Sequence, residues 1–334
     1  MVTFTQNCTM SFFINFSWID DKNFEQYALK VFRHQAKNNK VYAKYLHLLH
    51  IDILNVKTID QIPFLPIQFF KSHKILSSKE KVQEIFLSSG TTGMTQSKHY
   101  ITDIQLYKNS YLQGFQYFYG NIDNYTILAL LPNYLERNGS SLVYMVDDLI
   151  KKSNSDQSGF YLNNLNDLSN KLTALDHQNK KILLIGVSYA LLDLIDFKKF
   201  NLKNTIIMET GGMKGRRKEM VKEELHQALC QGFGVKKIHS EYGMTELLSQ
   251  AYSTGNGIFK TPPWMKILTR DTEDALTILP QNRTGGINVI DLANINSCSF
   301  IATQDLGKIH TDGSFEVLGR FDNSDIRGCN LMVV

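Results

Sequence analysis

The sequence predicts an α/β protein: a mainly parallel sheet with helices on both faces, followed by a β-rich C-terminal segment. Three observations carry that prediction. Between Tyr125 and Glu246, short apolar runs alternate with amphipathic stretches, the pattern of strands connected through helices. Several of these runs empty into clusters of small or polar residues, as strands of a parallel sheet do at their carboxyl ends. Beyond Ser253 the helical period disappears, and short segments are separated by Gly, Asn and Asp clusters. The organisation read from this is a helical lead-in over residues 1–84, an α/β nucleotide-binding core over 85–255 and a β-rich segment over 256–334.

In chain order, residues 20–54 read as two helices. Phe24, Tyr27, Ala28, Val31 and Phe32 repeat at helical spacing, then Tyr42, Tyr45, Leu46 and Leu49, with Asp20 or Asp21 as a cap. Pro63 and Pro66 forbid a continuous helix and predict an extended crossing. Ile85-Phe86-Leu87 is a short strand. Thr102-Asp103 caps a helix reaching about Tyr119, with Leu106, Ser110, Gln113 and Tyr117 on one face. Strands follow at Tyr125–Leu131, Lys181–Val187, Thr205–Met208 and Val235–His239. Helices are expected at Leu165–Leu175, Ala190–Phe197 and Arg216–Leu229. In the last segment Ala275–Leu279, Gly286–Leu292 and Ser299–Ala302 read as strands, and Ile309–Leu318 as a hairpin with Asp312-Gly313 at its tip.

Bulk properties narrow the function classes. The chain has 334 residues, 43% of them hydrophobic, enough for a large core. The net charge of +4 is dispersed, which argues against a nucleic-acid surface. Cys8, Cys230, Cys298 and Cys329 form no CxxC pair, as expected in a reducing compartment. The N-terminal stretch has no basic leader and its apolar patch is broken by Asn15 and Ser17, so neither a signal peptide nor a membrane span is expected. The expected location is cytoplasmic.

The stretch richest in chemistry is Ser88-Ser89-Gly90-Thr91-Thr92-Gly93, small residues directly after a strand. Such a loop allows backbone N–H groups and hydroxyls to converge on phosphate oxygens, although an ordinary turn has the same composition. No Gly-Lys-Ser/Thr follows at Walker spacing. Asn133 to Ser141, after another strand, is a second candidate loop. Gly186-Val187-Ser188-Tyr189-Ala190 resembles a nucleophile elbow, but alanine replaces its last glycine, and neither His239 nor His310 has an acid partner evident in the sequence.

SSGTTG at 88–93, YGMTE at 242–246 and TQDLG…LGRFDNSDIRG over 303–328 stand in the order found in adenylate-forming enzymes. From roughly residue 60 onward the chain more narrowly resembles the LuxE-type acyl-protein synthetases, through IPFLPIQFFKSHKI, SSGTTGMTQSKHY, LPNYLERNGSSLVYM, ETGGMKGRR, EYGMTELLSQAY and GRFDNSDIRGCNL. The resemblance implies the large-domain fold of adenylate-forming enzymes, with ATP and Mg²⁺ as cofactors. It implies activation of a long-chain fatty acid or similar acid as acyl-adenylate, then transfer to a cysteine of the enzyme. The acyl group then passes to a partner: an acyl reductase, an acyltransferase or a carrier protein.

Carried over position by position, Ser88, Ser89, Gly90, Thr91, Thr92 and Gly93 would hold the β and γ phosphates. Gly211 and Gly212 would edge the adenine, Tyr242 would stack on it beside Gly243, and Thr245 would bond an α-phosphate oxygen. Glu246 would take Mg²⁺, Asp305 the ribose hydroxyls, and Arg320 would lie near ribose and phosphate. Taken singly, Tyr242 reads equally well as core, Glu246 as a helix cap and Asp305 as a turn anchor. Lys98 is displaced from the usual lysine position by Met94-Thr95-Gln96-Ser97, and a solvated lysine fits it as well. The resemblance is to the form without a mobile C-terminal lysine domain, which leaves Lys214, Arg216 and Arg327 as candidate adenylating cations. Cys329 stands where the resemblance places the acyl-accepting cysteine, and the neighbouring Arg327 guanidinium would favour its thiolate; a small buried residue is its other reading. Two further functions stay open: ligation to coenzyme A or a carrier thiol, and a catalytically silent binding subunit.

Overall fold

A computed structural model of the chain describes residues 16–89, 95–132, 139–212, 217–218 and 220–320. Its elements, in chain order, begin with α1 (Phe24–Asn38), α2 (Lys40–Leu48), β1 (Leu65–Pro66), α3 (Phe69–Ser72), β2 (Glu84–Leu87), β3 (Lys98–Ile101) and α4 (Ile104–Tyr119). The alternating stretch gives β4 (Thr126–Leu130), α5 (Ser141–Lys152), β5 (Gly159–Phe160), α6 (Leu165–His177), β6 (Ile182–Val187), α7 (Ser188–Phe197), β7 (Thr205–Thr210), α8 (Lys222–Phe233) and β8 (His239–Tyr242). The chain continues through β9 (Ala251–Ser253), β10 (Ile258–Lys260), β11 (Met265–Arg270), β12 (Thr284–Asp291), β13 (Phe300–Ile309) and β14 (Phe315–Arg320).

A single large sheet runs in the order β11-β12-β13-β14-β10-β9-β8-β7-β6-β4-β5, with β1 added alongside β13. β5, β4, β6, β7 and β8 are mutually parallel, and every pairing from β8–β9 to β11 is antiparallel. The α/β stretch and the strand-rich stretch therefore share one hydrogen-bonded surface. Complete burial of Ile127 to Leu130 and Ile182 to Leu184 matches apolar runs covered on both faces. Among the described residues no helix is long and apolar enough to cross a membrane.

The N-terminal helices also brace the strand-rich end. Asn39 closes α1 and opens α2, its side chain accepting from Val41 N and Tyr42 N and donating to Ser297 O at 2.9 Å. Gln35 on α1 donates to Asn294 O and Ile295 O, and accepts from Ser299 N. The Asp20 carboxylate accepts from Lys22 N and Asn23 N, while Asn23 itself stands at the α1 cap position.

Five local expectations are corrected. On α4 the buried face is Tyr107, Ser110, Tyr111, Gly114 and Phe115, whereas Tyr117 is 62% exposed. Tyrosines can take the core side because their hydroxyls find acceptors: Tyr107 donates to Ser141 O and Tyr111 to Asp148 Oδ2. The extended crossing after Pro63 lasts only through β1, because nothing beyond Pro66 blocks the α3 turn that buries Phe70. α8 starts at Lys222 rather than Arg216; Arg217 instead reaches Asp193 and Asp196 on α7, and Glu223 and Glu224 occupy the first turn. Gly234, at φ 68°, and the bond from Val235 N to Cys230 O complete the α8 cap, so the next strand begins at His239 instead of Val235. Ala275–Leu279 contributes only a bridge from Ile278 to Arg270; β11, just before it, is the strand.

Candidate functional site

The stem of the glycine-rich loop is a hairpin separate from the main sheet. β2 and β3 pair antiparallel with Leu87 opposite Lys98. Beyond them Ser88 N donates to Ser97 O at 3.1 Å, and Ser97 N donates to Ser88 Oγ at 2.8 Å. Gln96 Nε2 adds a bond to Ser88 O at 2.8 Å. The Ser88 hydroxyl thus closes the loop's own neck. Ser89 and Lys98 are exposed there, and Gly90, Thr91, Thr92 and Gly93 lie outside the described residues. The end of the second candidate loop meets this stem, because Leu87 N donates to Gly139 O at 2.7 Å. Gly139 has φ +82°, and a Cβ there would lie 3.2 Å from Leu87 Cγ, so glycine permits the approach.

The segment after β8 docks onto the same stem. His99, fully buried on β3, places Nδ1 2.8 Å from Thr245 O and Nε2 3.0 Å from Asn294 Oδ1. Asn294 Nδ2 donates to Glu246 O at 2.8 Å, so His99 and Asn294 together hold both carbonyls of the Thr245-Glu246 pair. Thr245 O and Asn294 Oδ1 both accept, so a ring with one proton donates to only one of them, and a proton on Nδ1 serves Thr245 O. Burial lowers the His99 pKa to about 4, against both hydrogen bonds, so the ring is neutral at physiological pH. Asp291 extends the clamp: its carboxylate accepts from Leu248 N, Ser249 N, Ser249 Oγ and Ala293 N.

The Glu246 side chain is buried and hydrogen-bonded by Ser97. Burial pushes its carboxyl up; the Ser97 bond, a backbone N–H and the charges of Arg320 and Lys71 partly offset this. Tyr242, one turn earlier, donates from its hydroxyl to Asp305 Oδ2 at 2.8 Å. Asp305 pairs with Arg320 across β13 and β14, with Arg320 Nε 3.8 Å from Asp305 Oδ1. Burial raises the Asp305 carboxyl, opposed by Tyr242, Arg320 and Arg270. Gly211 and Gly212 are exposed at the end of β7, whose Thr210 pairs with Glu241 of β8.

Among the predicted site residues, the structure joins Ser88, Thr245 and Glu246 around the loop stem, and brings Tyr242 and Arg320, at the ends of β8 and β14, to Asp305 within β13. Lys214, Arg216, Arg327 and Cys329 fall outside the described residues. Sequence reasoning missed His99, Asn294 and Asp291. The sign for Asp291 was an acid ending the buried run Ile287 to Ile290; His99 sits inside the quoted SKHY motif, but nothing marked its partners.

The Ser188 elbow is not a hydrolase site. Ser188 Oγ donates to Gly211 O at 2.7 Å and to Glu209 Oε2 at 3.3 Å, and His226 approaches the other Glu209 oxygen at 3.5 Å. The acid stands between serine and histidine, so among the described residues no histidine reaches the serine as a base. His310 does have an acid partner, Glu316 at 2.8 Å, although both belong to the last hairpin.

Among the described residues no cluster of three or more His, Cys, Asp or Glu could hold a metal unaided. Glu246 supplies a single carboxylate, which suits Mg²⁺ only where phosphate oxygens complete its shell.

Known proteins share this architecture. The solved structure of a 2-hydroxyisobutyryl-CoA ligase with 2-HIB-AMP and CoA is 12% identical, with a TM-score of 0.64 over 91% of this chain and 70% of that one. ATP-bound MatB from Rhodopseudomonas palustris is 18% identical, TM-score 0.53, over 73% of this chain and 49% of MatB. MenE from Bacillus subtilis with AMP is 17% identical, TM-score 0.51, over 74% and 51%. These likenesses establish the fold of adenylate-forming enzymes, and the chain spans about half the length of MatB. In sequence, a long-chain-fatty-acid–luciferin-component ligase from Photorhabdus luminescens is 37% identical over 67 residues, 20% of this chain and 57% of that protein. The family model for the acyl-protein synthetase LuxE matches residues 14–334, and the chain belongs to that family.

Proposed function

We propose that this chain activates a carboxylic acid with ATP and then ligates the acyl group to a thiol. The observation that carries the reading is the docking of Thr245 and Glu246 onto the stem of the glycine-rich loop, through His99 and Ser97. In the first step a carboxylate oxygen attacks the α-phosphorus and pyrophosphate leaves, giving acyl-adenylate. Two anions meet there, so the transition state needs donors and positive charge already in place. The Ser88 to Gly93 loop holds the pyrophosphate end, Thr245 bonds an α-phosphate oxygen and Lys98 adds charge. Tyr242, Gly211 and Gly212 flank the adenine, Asp305 takes the ribose hydroxyls and Arg320 lies near them. Glu246 would hold Mg²⁺, which neutralises phosphate charge when bound.

In the second step a thiolate attacks the acyl carbonyl and AMP leaves. On the family pattern the thiol is Cys329, beside Arg327, the acid is a long-chain fatty acid or a similar acid, and a partner protein receives the acyl group. Lys214 and Arg216 are further candidates for charge neutralisation. The luciferin-component ligase in the same family supports this route. The 2-hydroxyisobutyryl-CoA ligase, matching 91% of this chain, favours a second reading in which coenzyme A is the acceptor.

Carboxylate-dependent exchange between ATP and labelled pyrophosphate tests the first step, with activity expected in the native protein and lost in Glu246→Ala. Absence of exchange with every acid tried would reject the enzyme reading. Label from an activated acid that stays on denatured protein, is released by hydroxylamine and disappears in Cys329→Ser supports self-acylation. Label found only on added coenzyme A supports the second reading.

A further inference from the structure

β13 does not run evenly against β12. Gly286 pairs with Leu306 and Asn288 with Ala302, so the stretch of β13 from Thr303 to Asp305 stands against Ile287 alone. The strand bulges there, and Asp305 closes the bulge. Bulges beside a site re-aim side chains, and they leave backbone groups that the ladder does not pair. Thr303 takes up part of this, since its Oγ1 donates to Ile287 O at 2.9 Å and accepts from Asp305 N at 3.1 Å.

A buried cation takes up the rest. Arg270, the last residue of β11 and 7% exposed, reaches across β12 into the bulge. Its Nη1 donates to Ile287 O at 2.9 Å and to Asn288 Oδ1 at 2.8 Å, and its Nη2 donates to Thr303 O at 2.6 Å. The planar fork ties the two edges of the bulge in a fixed geometry that a lysine's point charge cannot copy. Gly286 makes the room, because a Cβ there would fall 2.7 Å from Arg270 Cζ. Burial lowers the Arg270 pKa to about 10, against the pull of Tyr45, Asp305 and Tyr242, so the side chain stays charged at physiological pH. That charge in turn opposes the rise that burial forces on the Asp305 carboxyl. A guanidinium is costly to bury, and here its donors go to the irregular stretch of β12 and β13.

We propose that Arg270 is a positioning residue for nucleotide binding: it locks the β13 bulge and so sets the direction in which the Asp305 carboxylate meets the ribose. The inference rests on the proposed adenylation reading, in which Asp305 takes the ribose hydroxyls. Arg270 lies behind that contact rather than in it. Tyr242 and Arg320 approach the carboxylate itself, whereas Arg270 holds the backbone that carries it, through Thr303 O. One carboxylate has to meet two adjacent hydroxyls at once. A tilt of the strand therefore weakens ribose binding without removing any group that touches the nucleotide.

The test is carboxylate-dependent pyrophosphate exchange with ATP, 2′-deoxy-ATP and 3′-deoxy-ATP. The native protein is expected to prefer ATP by at least about tenfold in kcat/KM, and Asp305→Ala to lose that preference. Arg270→Met should cut the preference by about tenfold, through KM for ATP more than through kcat. Arg270→Lys keeps the buried charge and guards against misfolding; without the fork it should still lose most of the preference. Gly286→Ala, which pushes the guanidinium from its place, should act in the same direction. In an Asp305→Ala background Arg270→Lys should change the preference no further. A merely structural arginine would lower exchange with every nucleotide alike. A preference that stays unchanged in Arg270→Lys and Gly286→Ala overturns this inference and leaves the adenylation reading standing. Native exchange as fast with the deoxy nucleotides as with ATP overturns the inference together with the ribose contact. Absence of exchange with any nucleotide overturns the adenylation reading as well.

Discussion

His99 Nδ1 stands 2.8 Å from the carbonyl oxygen of Thr245, joining the strand that follows the glycine-rich loop to the segment carrying Thr245 and Glu246. His99→Ala removes that donor and leaves Thr245 O unpaired in a dry site. A loss of about 2 kcal/mol or more is expected in denaturant unfolding. Exchange should fall at least about tenfold in kcat, more than in KM for ATP, because the clamp sets geometry rather than touching nucleotide. His99→Gln, which can still donate one bond, should recover part of both.

Tyr242→Phe deletes the hydroxyl that bonds Asp305. The buried carboxyl then keeps the charges of Arg320, at 3.8 Å, and of Arg270, and stability should drop by about 1–2 kcal/mol. Asp305→Asn preserves an acceptor for Tyr242 and should cost less stability, while raising KM for ATP severalfold if the proposed ribose contact holds. Thermal unfolding and exchange kinetics on the two variants separate the structural effect from the binding effect.

Gly243→Ala places a methyl group 2.4 Å from Glu241 Oε1. Overpacking of this kind costs about 1–3 kcal/mol. Combining it with Glu241→Ala, which vacates the space, should restore part of the loss, so the double variant is expected to be more stable than the sum of the singles. A strictly additive cycle would disprove the contact.

Glu209 and Glu241 sit on neighbouring strands with opposite shifts. Burial pushes Glu209 up, but His226, Lys222 and Ser240 outweigh it and bring the carboxyl down to about 2, below the usual 4.5. Its contribution to stability is complete above pH 4.5 and is lost as pH falls toward 2. Glu241, raised to about 7, works in reverse: stability is complete below pH 4.5 and is lost as pH rises through 7. Glu241→Gln never pays for burying that charge. Relative to the native protein it should gain stability between pH 5 and pH 8, by up to about 3 kcal/mol, read from denaturant midpoints at the two pH values.

Much of the fold was legible because burial on two faces writes itself as unbroken apolar runs. Ile127 to Leu130 and Ile182 to Leu184 were found for that reason. β8 was misplaced because half of it, Ser240 and Glu241, is polar yet buried, which partners on β7 and α8, Thr210 and His226, make tolerable. The face of α4 was misread because buried tyrosines look like surface residues until Ser141 O and Asp148 appear as partners. At the site, the motifs at 242–246 and 303–305 were readable as residue types. The clamp was not, since His99 and Asn294 are 195 residues apart and nothing local in either one names the other.

The alternation of β8 gives this strand a parity. Tyr242 faces Asp305, while Glu241, one position before it, stands beside Tyr252 on the face that packs under α4. Neighbours in sequence therefore live in different surroundings. The same arithmetic makes the strand intolerant of a frame slip: one residue inserted between Ile238 and Tyr242 would exchange the two faces, turning the tyrosine under α4 and the carboxylate toward Asp305.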